Sequence, residues 1–370
     1  MTEKKPKILI GSITDDDFSP ISTITRSFIK NKNLRFKYNI QPHYAYRKYG
    51  KSNLSKLNIV NIYYLIKHYF SWLYKIIVFK PIIVHYPVTS FWNLEKSLLF
   101  LMTGGIFGAK KVGQLHGGAF IDFWNGTCQF RKYINLRFLN SLDVLIVSSK
   151  YWKKMVGENC SVKTRIEVIA NPIEQSFESK FFVCGDRKAG LILFMGRIDI
   201  DKGVLDIIKS ADVILKVIEC KFVLAGIVNK VKDYWQCLAI IKRYNLESSI
   251  VISGEISEKE KIKLFSEASI FLFPSYFENL PLAVIEAACS SLPIITTRVG
   301  ALPEFFEHNK SVIFVEPGNI EQIKNAVIDL LSNSEKREKL GKEARKVFLE
   351  KLSRDKIMKQ IDKVYKQILQ

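Results

Sequence analysis

The stretch "LFPSYFENLPLAVIEA" at residues 272–287 places two carboxylates, Glu278 and Glu286, eight positions apart across a break into a helix. Pro281 suits the first helical position, because its missing amide hydrogen costs nothing there. Glu278 then lies in the loop at a strand's carboxyl end, and Glu286 lies about a turn and a half into the helix. The unpaired amides around Leu280, Leu282 and Ala283 offer a helix amino terminus to an anion. One carboxylate can reach polar groups on one side of a bound phosphate and the other can reach groups beyond it. The vicinal hydroxyls of a sugar and of a ribose are natural partners for the two. On the plainer alternative, Glu286 is an ordinary surface glutamate and Glu278 caps the helix.

Upstream, "MGRIDIDKGVLDII" (195–208) ends a strand at Gly196, follows it with Arg197 and sets Lys202-Gly203 just before the next helix. Ligands of open α/β sheets bind at the carboxyl ends of strands, where these two cations can grip a diphosphate. Arginine and lysine at a strand exit are equally at home in solvent. In the first half, "QLHGG" (114–118) ends a strand with His116, Gly117 and Gly118. The glycines let a substrate come close to the backbone and the imidazole can hydrogen-bond it, although a histidine at a strand end also fits a purely structural place. Asp15, Asp16 and Asp17 could suggest a metal site, but three adjacent aspartates ahead of a helix starting near Ile21 read as helix-start and solvated residues. The six cysteines show no C-x-x-C pair, which argues against zinc and a disulfide framework. No metal is expected, and the thiols read as buried and reduced.

Runs of strand length alternate with segments of helical period throughout, the pattern of βαβ units and a parallel sheet. The first half carries strands at 7–12, 36–40, 81–86, 111–117, 143–149 and 165–170, and the second at 191–197, 221–227, 249–255, 270–275, 292–297 and 312–317. With 370 residues, the chain exceeds what one core usually supports, so two domains are expected. Residues 1–172 form the first, 173–190 the connection, and 191–353 the second, with a terminal helix 354–370 rejoining the first.

The net charge of +20 is unevenly spread. Residues 1–170 hold 26 Lys and Arg against 9 Asp and Glu, or +17, and residues 171–370 hold 30 against 27, or +3. Between Phe18 and Leu94 there are twelve basic residues and no acidic one, a potential suited to nucleic acid, anionic lipid or a phosphate-bearing substrate. The segment "NIYYLIKHYFSWLYKIIVF" (61–79) sets Lys67, Ser71 and Lys75 on one side with His68 beside them and leaves the rest apolar and aromatic. Its charges exclude a transmembrane span. The face suits a membrane interface, or else a helix sandwiched between the sheet and a neighbouring helix. At the amino terminus the apolar run is only Ile8 to Ile10, too short for a signal peptide, so a cytoplasmic chain is expected.

The runs "GRIDIDKG", "GEIS" and "PSYFENLPLAVIEAACSSLPIITTRVGALPEFF" resemble the carboxyl-terminal half of the retaining, nucleotide-sugar-dependent glycosyltransferases of GT-B fold, glycosyltransferase family 4. The E-x7-E hallmark is Glu278 and Glu286. The similarity is strong over about residues 190–350 and reaches His116-Gly117 more loosely. It implies an α/β protein of two Rossmann-like domains with parallel sheets facing across a cleft. It also implies that Arg197 and Lys202 neutralise the donor diphosphate, that Glu278 and His116 meet the donor sugar, and that Glu286 binds the ribose hydroxyls. The backbone around Ile256 would face the base, with Gly196, Asn279, Leu280 and Leu282 lining the donor site. Gly11, Gly117 and Gly118 would lie on the acceptor side. Two departures stand out. Only Gly11 is present where the family has a glycine-rich loop, and Asn279 stands where glycine is common.

The expected activity is transfer of a sugar, with retention, from a nucleotide diphosphate sugar to a saccharide hydroxyl, with no other cofactor. A lipid-linked acceptor in envelope polysaccharide or lipopolysaccharide synthesis would use the basic first half at an anionic membrane surface, the chain being peripheral at the inner face of the cell membrane. A nucleotide-sugar epimerase is the alternative of the same architecture. A nucleic-acid-binding protein is the non-enzymatic one, supported by charge alone.

Overall fold

The computed structural model describes residues 4–13, 19–45, 59–118, 120–181 and 187–370. Asp15, Asp16, Asp17 and Cys184 lie outside them. The chain divides into two compact units, Met1–Glu174 with Arg354–Gln370, and Gln175–Ser353.

The first unit holds β1 (Lys7–Ile13), β2 (Asn39–Tyr44), β3 (Ile83–Val88), β4 (Lys110–Leu115), β5 (Val144–Val147) and β6 (Ile166–Val168), all parallel, in the order β2-β1-β3-β4-β5-β6. Strands covered on both faces read as continuous apolar runs, and all six residues of β3 are buried. Helices α1 (Pro20–Ile29), α2 (Lys32–Lys37), α3 (Ile59–Phe79) and α4 (Trp92–Ile106) follow in chain order. One expectation shifts here: residues 36–40 do not form one strand, because Lys32–Lys37 is helical. Asn31 caps that helix, its side chain accepting from the Leu34 amide at 2.9 Å, and Phe36 points outward. The strand begins at Asn39 and lies at the sheet edge, where Pro42 is tolerated.

The second unit repeats the plan with β7 (Leu191–Met195), β8 (Lys221–Ala225), β9 (Ile250–Gly254), β10 (Ile270–Phe273), β11 (Ile294–Thr297) and β12 (Ile313–Val315), in the order β12-β11-β10-β7-β8-β9. The stretch expected as an aperiodic connection contains a short helix, Gln175–Glu178, whose Phe177 is fully buried against Phe265. After a π-helical turn at Phe348–Leu352, the terminal helix Arg354–Leu369 joins the first unit. Its Asp362 accepts from Lys37 Nζ at 2.6 Å and Tyr38 Oη at 3.0 Å, and its Tyr365 hydroxyl lies 2.7 Å from His85 Nδ1.

Candidate functional site

In the second unit β7 and β10 are neighbours, so the turns leaving their carboxyl ends lie side by side. Small residues allow the close approach. A Cβ on Gly203 (φ 75°) would come within 2.2 Å of the Pro274 carbonyl oxygen, and one on Gly226 (φ 144°) within 1.8 Å of that of Gly196. Arg197 leaves β7 and Lys202 ends a 3-10 turn, Ile200–Lys202, ahead of the helix Val204–Ile214. Lys202 Nζ donates to a Glu278 carboxylate oxygen and, at 3.1 Å, to the Phe277 carbonyl, and Ser275 Oγ donates to the same Glu278 oxygen at 3.2 Å. Both side chains of this pair are mostly buried. The loop through Glu278 and Asn279 is held from β11's exit: a side chain at Gly300 would collide with both their carbonyl oxygens at 2.3 Å, and the Ala301 amide donates to the Asn279 carbonyl at 2.8 Å.

The helix expected to start at Pro281 runs Leu282–Cys289, with Pro281 at its N-cap and no side-chain cap bond. Glu278 therefore does not cap it. Nor is Glu286 a surface residue: it is 3% exposed, and Lys261 Nζ donates to its Oε1 at 2.5 Å. Lys261 comes from the helix Glu258–Glu267, which opens with a capping box between Ser257 and Glu260 just after the buried Ile256. Its ammonium also lies 5.0 Å from the Phe177 ring centroid.

Three residues outside the expected set belong to this cluster. Lys261 is one. Asp199 is another: it is fully buried, Arg197 Nε lies 3.3 Å from its Oδ2, and neither carboxylate oxygen has a hydrogen-bond partner among the described residues. The contact is thus an ion pair without hydrogen-bond geometry, on an arginine side chain that is 45% exposed. The third is Asp206, which accepts from the Tyr276 hydroxyl at 2.8 Å. Burial raises the Asp206 pKa above the ordinary aspartate value, and burial with this bond pushes the Tyr276 hydroxyl up to about 12. Sequence spacing gives no sign of Lys261, because its partner lies 25 positions away. Asp199 could have been found as an acid two residues from an arginine in a buried turn.

In the first unit, His116, Gly117 and Gly118 lie just beyond the carboxyl end of β4, and Gly11 lies inside β1 two residues before its end, with β3 between the two strands. A Cβ on Gly11 would meet the Tyr86 ring at 2.4 Å, so glycine is required there by packing. Gly117 has φ 118°. His116 is buried, and burial pushes its pKa down to about 4, leaving a neutral imidazole at pH 7. No group of three or more His, Cys, Asp or Glu able to hold a metal occurs among the described residues. Of the five described cysteines, none is in a disulfide, and Cys128 is exposed rather than buried as expected.

A family model described as glycosyl transferases group 1 matches residues 177–347. The uncharacterized glycosyltransferase MJ1178 of Methanocaldococcus jannaschii is 30% identical over 254 residues, spanning 69% of this chain and 67% of that protein. MJ1607 of the same organism, also an uncharacterized glycosyltransferase, is 29% identical over 243 residues, and the match spans 60% of its length. Among solved structures, the Anabaena protein HepE (Alr3699), in complex with UDP and glucose, superposes with a TM-score of 0.70 at 14% identity, covering 98% of this chain and 100% of that one. At that identity the likeness concerns fold, and it identifies the two six-stranded parallel units as the GT-B architecture. The match to MJ1178 extends beyond the family model and takes in two thirds of both chains, so the chain belongs to the group 1 glycosyl transferases.

Proposed function

We propose that the protein moves a sugar from a nucleotide diphosphate sugar to a hydroxyl of a saccharide acceptor, with retention at the anomeric carbon. The second unit holds the donor and the first the acceptor. The observation that carries this reading is the pair Lys202–Glu278 beside Arg197 at the ends of β10 and β7. A lysine already shared with a carboxylate is a cation that a diphosphate can claim. Once it turns to the phosphates, Glu278 is left to accept from sugar hydroxyls. Glu286, paired with Lys261 in a buried position, can accept from the ribose diol, with Ile256 near the base. Arg197, Lys202 and the amides at the start of Leu282–Cys289 stabilise charge growing on the departing diphosphate, a preorganised electrostatic contribution. The acceptor hydroxyl approaches on the leaving-group face and passes its proton to a phosphate oxygen. Neutral His116 donates or accepts a hydrogen bond at the sugar without adding charge. HepE, solved with UDP and glucose, supports a nucleotide-sugar donor.

The basic first unit favours a lipid-linked saccharide acceptor in envelope polysaccharide or lipopolysaccharide synthesis, met at the inner face of the cell membrane. No helix among the described residues is long and apolar enough to cross a membrane.

A thermal-shift screen against UDP-, GDP-, ADP- and CMP-sugars tests the donor site. A ligand at a hundred times its dissociation constant adds about 2.7 kcal/mol, and Lys202→Ala and Arg197→Ala are expected to abolish the shift. Stabilisation by none of the four classes would overturn the reading. Conversion of the donor to an isomer without acceptor would replace transfer by epimerisation.

A further inference from the structure

Eleven residues of α3 are exposed, and nine of them are apolar or aromatic. Six of these, Ile59, Tyr63, Ile66, Phe70, Tyr74 and Ile77, recur at steps of three and four and form one stripe about 27 Å long. Each is between 49% and 86% exposed. The helix is not loosely held, because its other face is a second apolar stripe. Tyr64, His68, Trp72, Ile76 and Phe79 are buried, and Trp72 Nε1 donates to the Phe100 carbonyl at 2.9 Å. His68, expected on the polar side, is therefore on the core side. Lys75 is drawn inward to the Pro42 carbonyl at 2.5 Å. The polar side anticipated from the sequence is thus reduced to Lys67 and Ser71, and α3 is apolar on two opposite faces. A continuous exposed stripe of this kind is uncommon on soluble surfaces and marks contact with another phase or molecule.

Charge identifies the occupant. From residue 18 to residue 94 the sequence has twelve cations and no carboxylate. Lys67 is exposed on the flank of the stripe, and Lys80 is exposed immediately beyond its end. Lys7 Nζ lies 5.4 Å from the Phe79 ring centroid at that same end. The stripe itself contains no cation to pair with discrete carboxylates of a protein partner. Instead an apolar band with two phenols is rimmed by lysines, the pattern of a helix lying in the plane of a membrane interface.

We propose that the outer face of α3 docks on an anionic lipid bilayer, with the stripe at the acyl boundary and Lys67 and Lys80 among the headgroup phosphates. This deepens the lipid-linked acceptor reading and rests on it for its purpose, while the binding itself can be measured alone.

The test is co-sedimentation of the full chain with phosphatidylcholine vesicles, with and without phosphatidylglycerol. Wild-type protein is expected to bind the anionic vesicles about tenfold more tightly than the neutral ones. The variant Ile66→Ser/Phe70→Ser/Tyr74→Ser should lose sedimentation while keeping its melting temperature and its nucleotide-sugar thermal shift. Lys67→Glu/Lys80→Glu should lose the preference for phosphatidylglycerol. Wild-type protein left in the supernatant with anionic vesicles would overturn the proposal, as would a triple-serine variant that sediments like wild type. A lipid-free dimer dissolved by the serine variant would assign the face to a second copy instead and overturn it too. Intact sedimentation by a wild-type chain that no nucleotide sugar stabilises would support the surface and strike the transfer reading alone.

Discussion

In the second unit's site three carboxylates are matched by cations: Glu278 with Lys202, Glu286 with Lys261, and Asp201 with Lys230, which reaches both its oxygens at 3.1 Å. In the first unit the buried titratable groups include three histidines that burial holds neutral. His43 and His85 are pushed down to about 3 and His116 to about 4. The formal charge runs the other way, since the first unit carries +19 and the second +1. A near-neutral unit can therefore hold a tightly charged site, and a strongly basic one can have a neutral interior. Charge inside the protein is arranged by pairs, and charge outside it by whatever the surface meets.

The contrast can be broken most severely at Trp72, which fills the first unit's core without exposure and shares ring contacts with His43, Tyr86 and Phe100. Trp72→Ala is expected to cost about 4 to 5 kcal/mol in chemical denaturation, from the cavity and the lost bond to Phe100. Next is the buried pair in the second unit. Glu286→Ala leaves Lys261 without that partner and should cost about 3 kcal/mol, and the double variant with Lys261→Met should recover most of it. A double variant no more stable than Glu286→Ala would show that the pair does not govern stability there.

Acid should separate the units further. The three histidines bind protons less readily folded than unfolded, so the unfolded chain takes them up first as pH falls. Their stabilising contribution is full above about pH 6.5 and is lost progressively as pH falls toward 4, each unit of separation being worth about 1.4 kcal/mol. Around His43 stand Lys75, Lys96 and His68, and around His85 stand His116, Gln114 and Tyr365, with no carboxylate among them to offset the incoming charge. Melting temperature measured from pH 7 to pH 4.5 should fall by several degrees, and His43→Phe should flatten the fall. The smallest effect sharpens the comparison on one helix. Phe70→Ser, two positions from Trp72, should change stability by no more than about 0.5 kcal/mol, since it removes little that is buried.

Twelve strands in two sets of six are legible from apolar runs, because parallel strands covered on both faces need continuous hydrophobicity. The E-x7-E spacing, the loop position of Glu278 and the helix that carries Glu286, begun one residue later than Pro281 suggests, are equally legible, being local. The error at residues 36–40 is also local in origin: Asn31 is a cap whose signal lies outside the strand-like run it redirects. The partners of the site were another matter. Lys261 meets Glu286 from another helix, and Lys202 meets Glu278 across 76 positions, distances that no period spans.

Residues 61–79 show the same division. The order of these residues alone makes the segment a helix rich in aromatic and apolar side chains, since the 3.6-residue period is a property of the chain. Which of its two apolar faces enters the core was decided by tertiary structure. Trp72 finds the Phe100 carbonyl as a partner for its indole N–H, and Lys75 finds that of Pro42, and these bonds turn His68 inward and leave Phe70 and Tyr74 at the surface. A buried polar atom needs a partner, and where that partner lies is fixed only when the strands and helices are assembled.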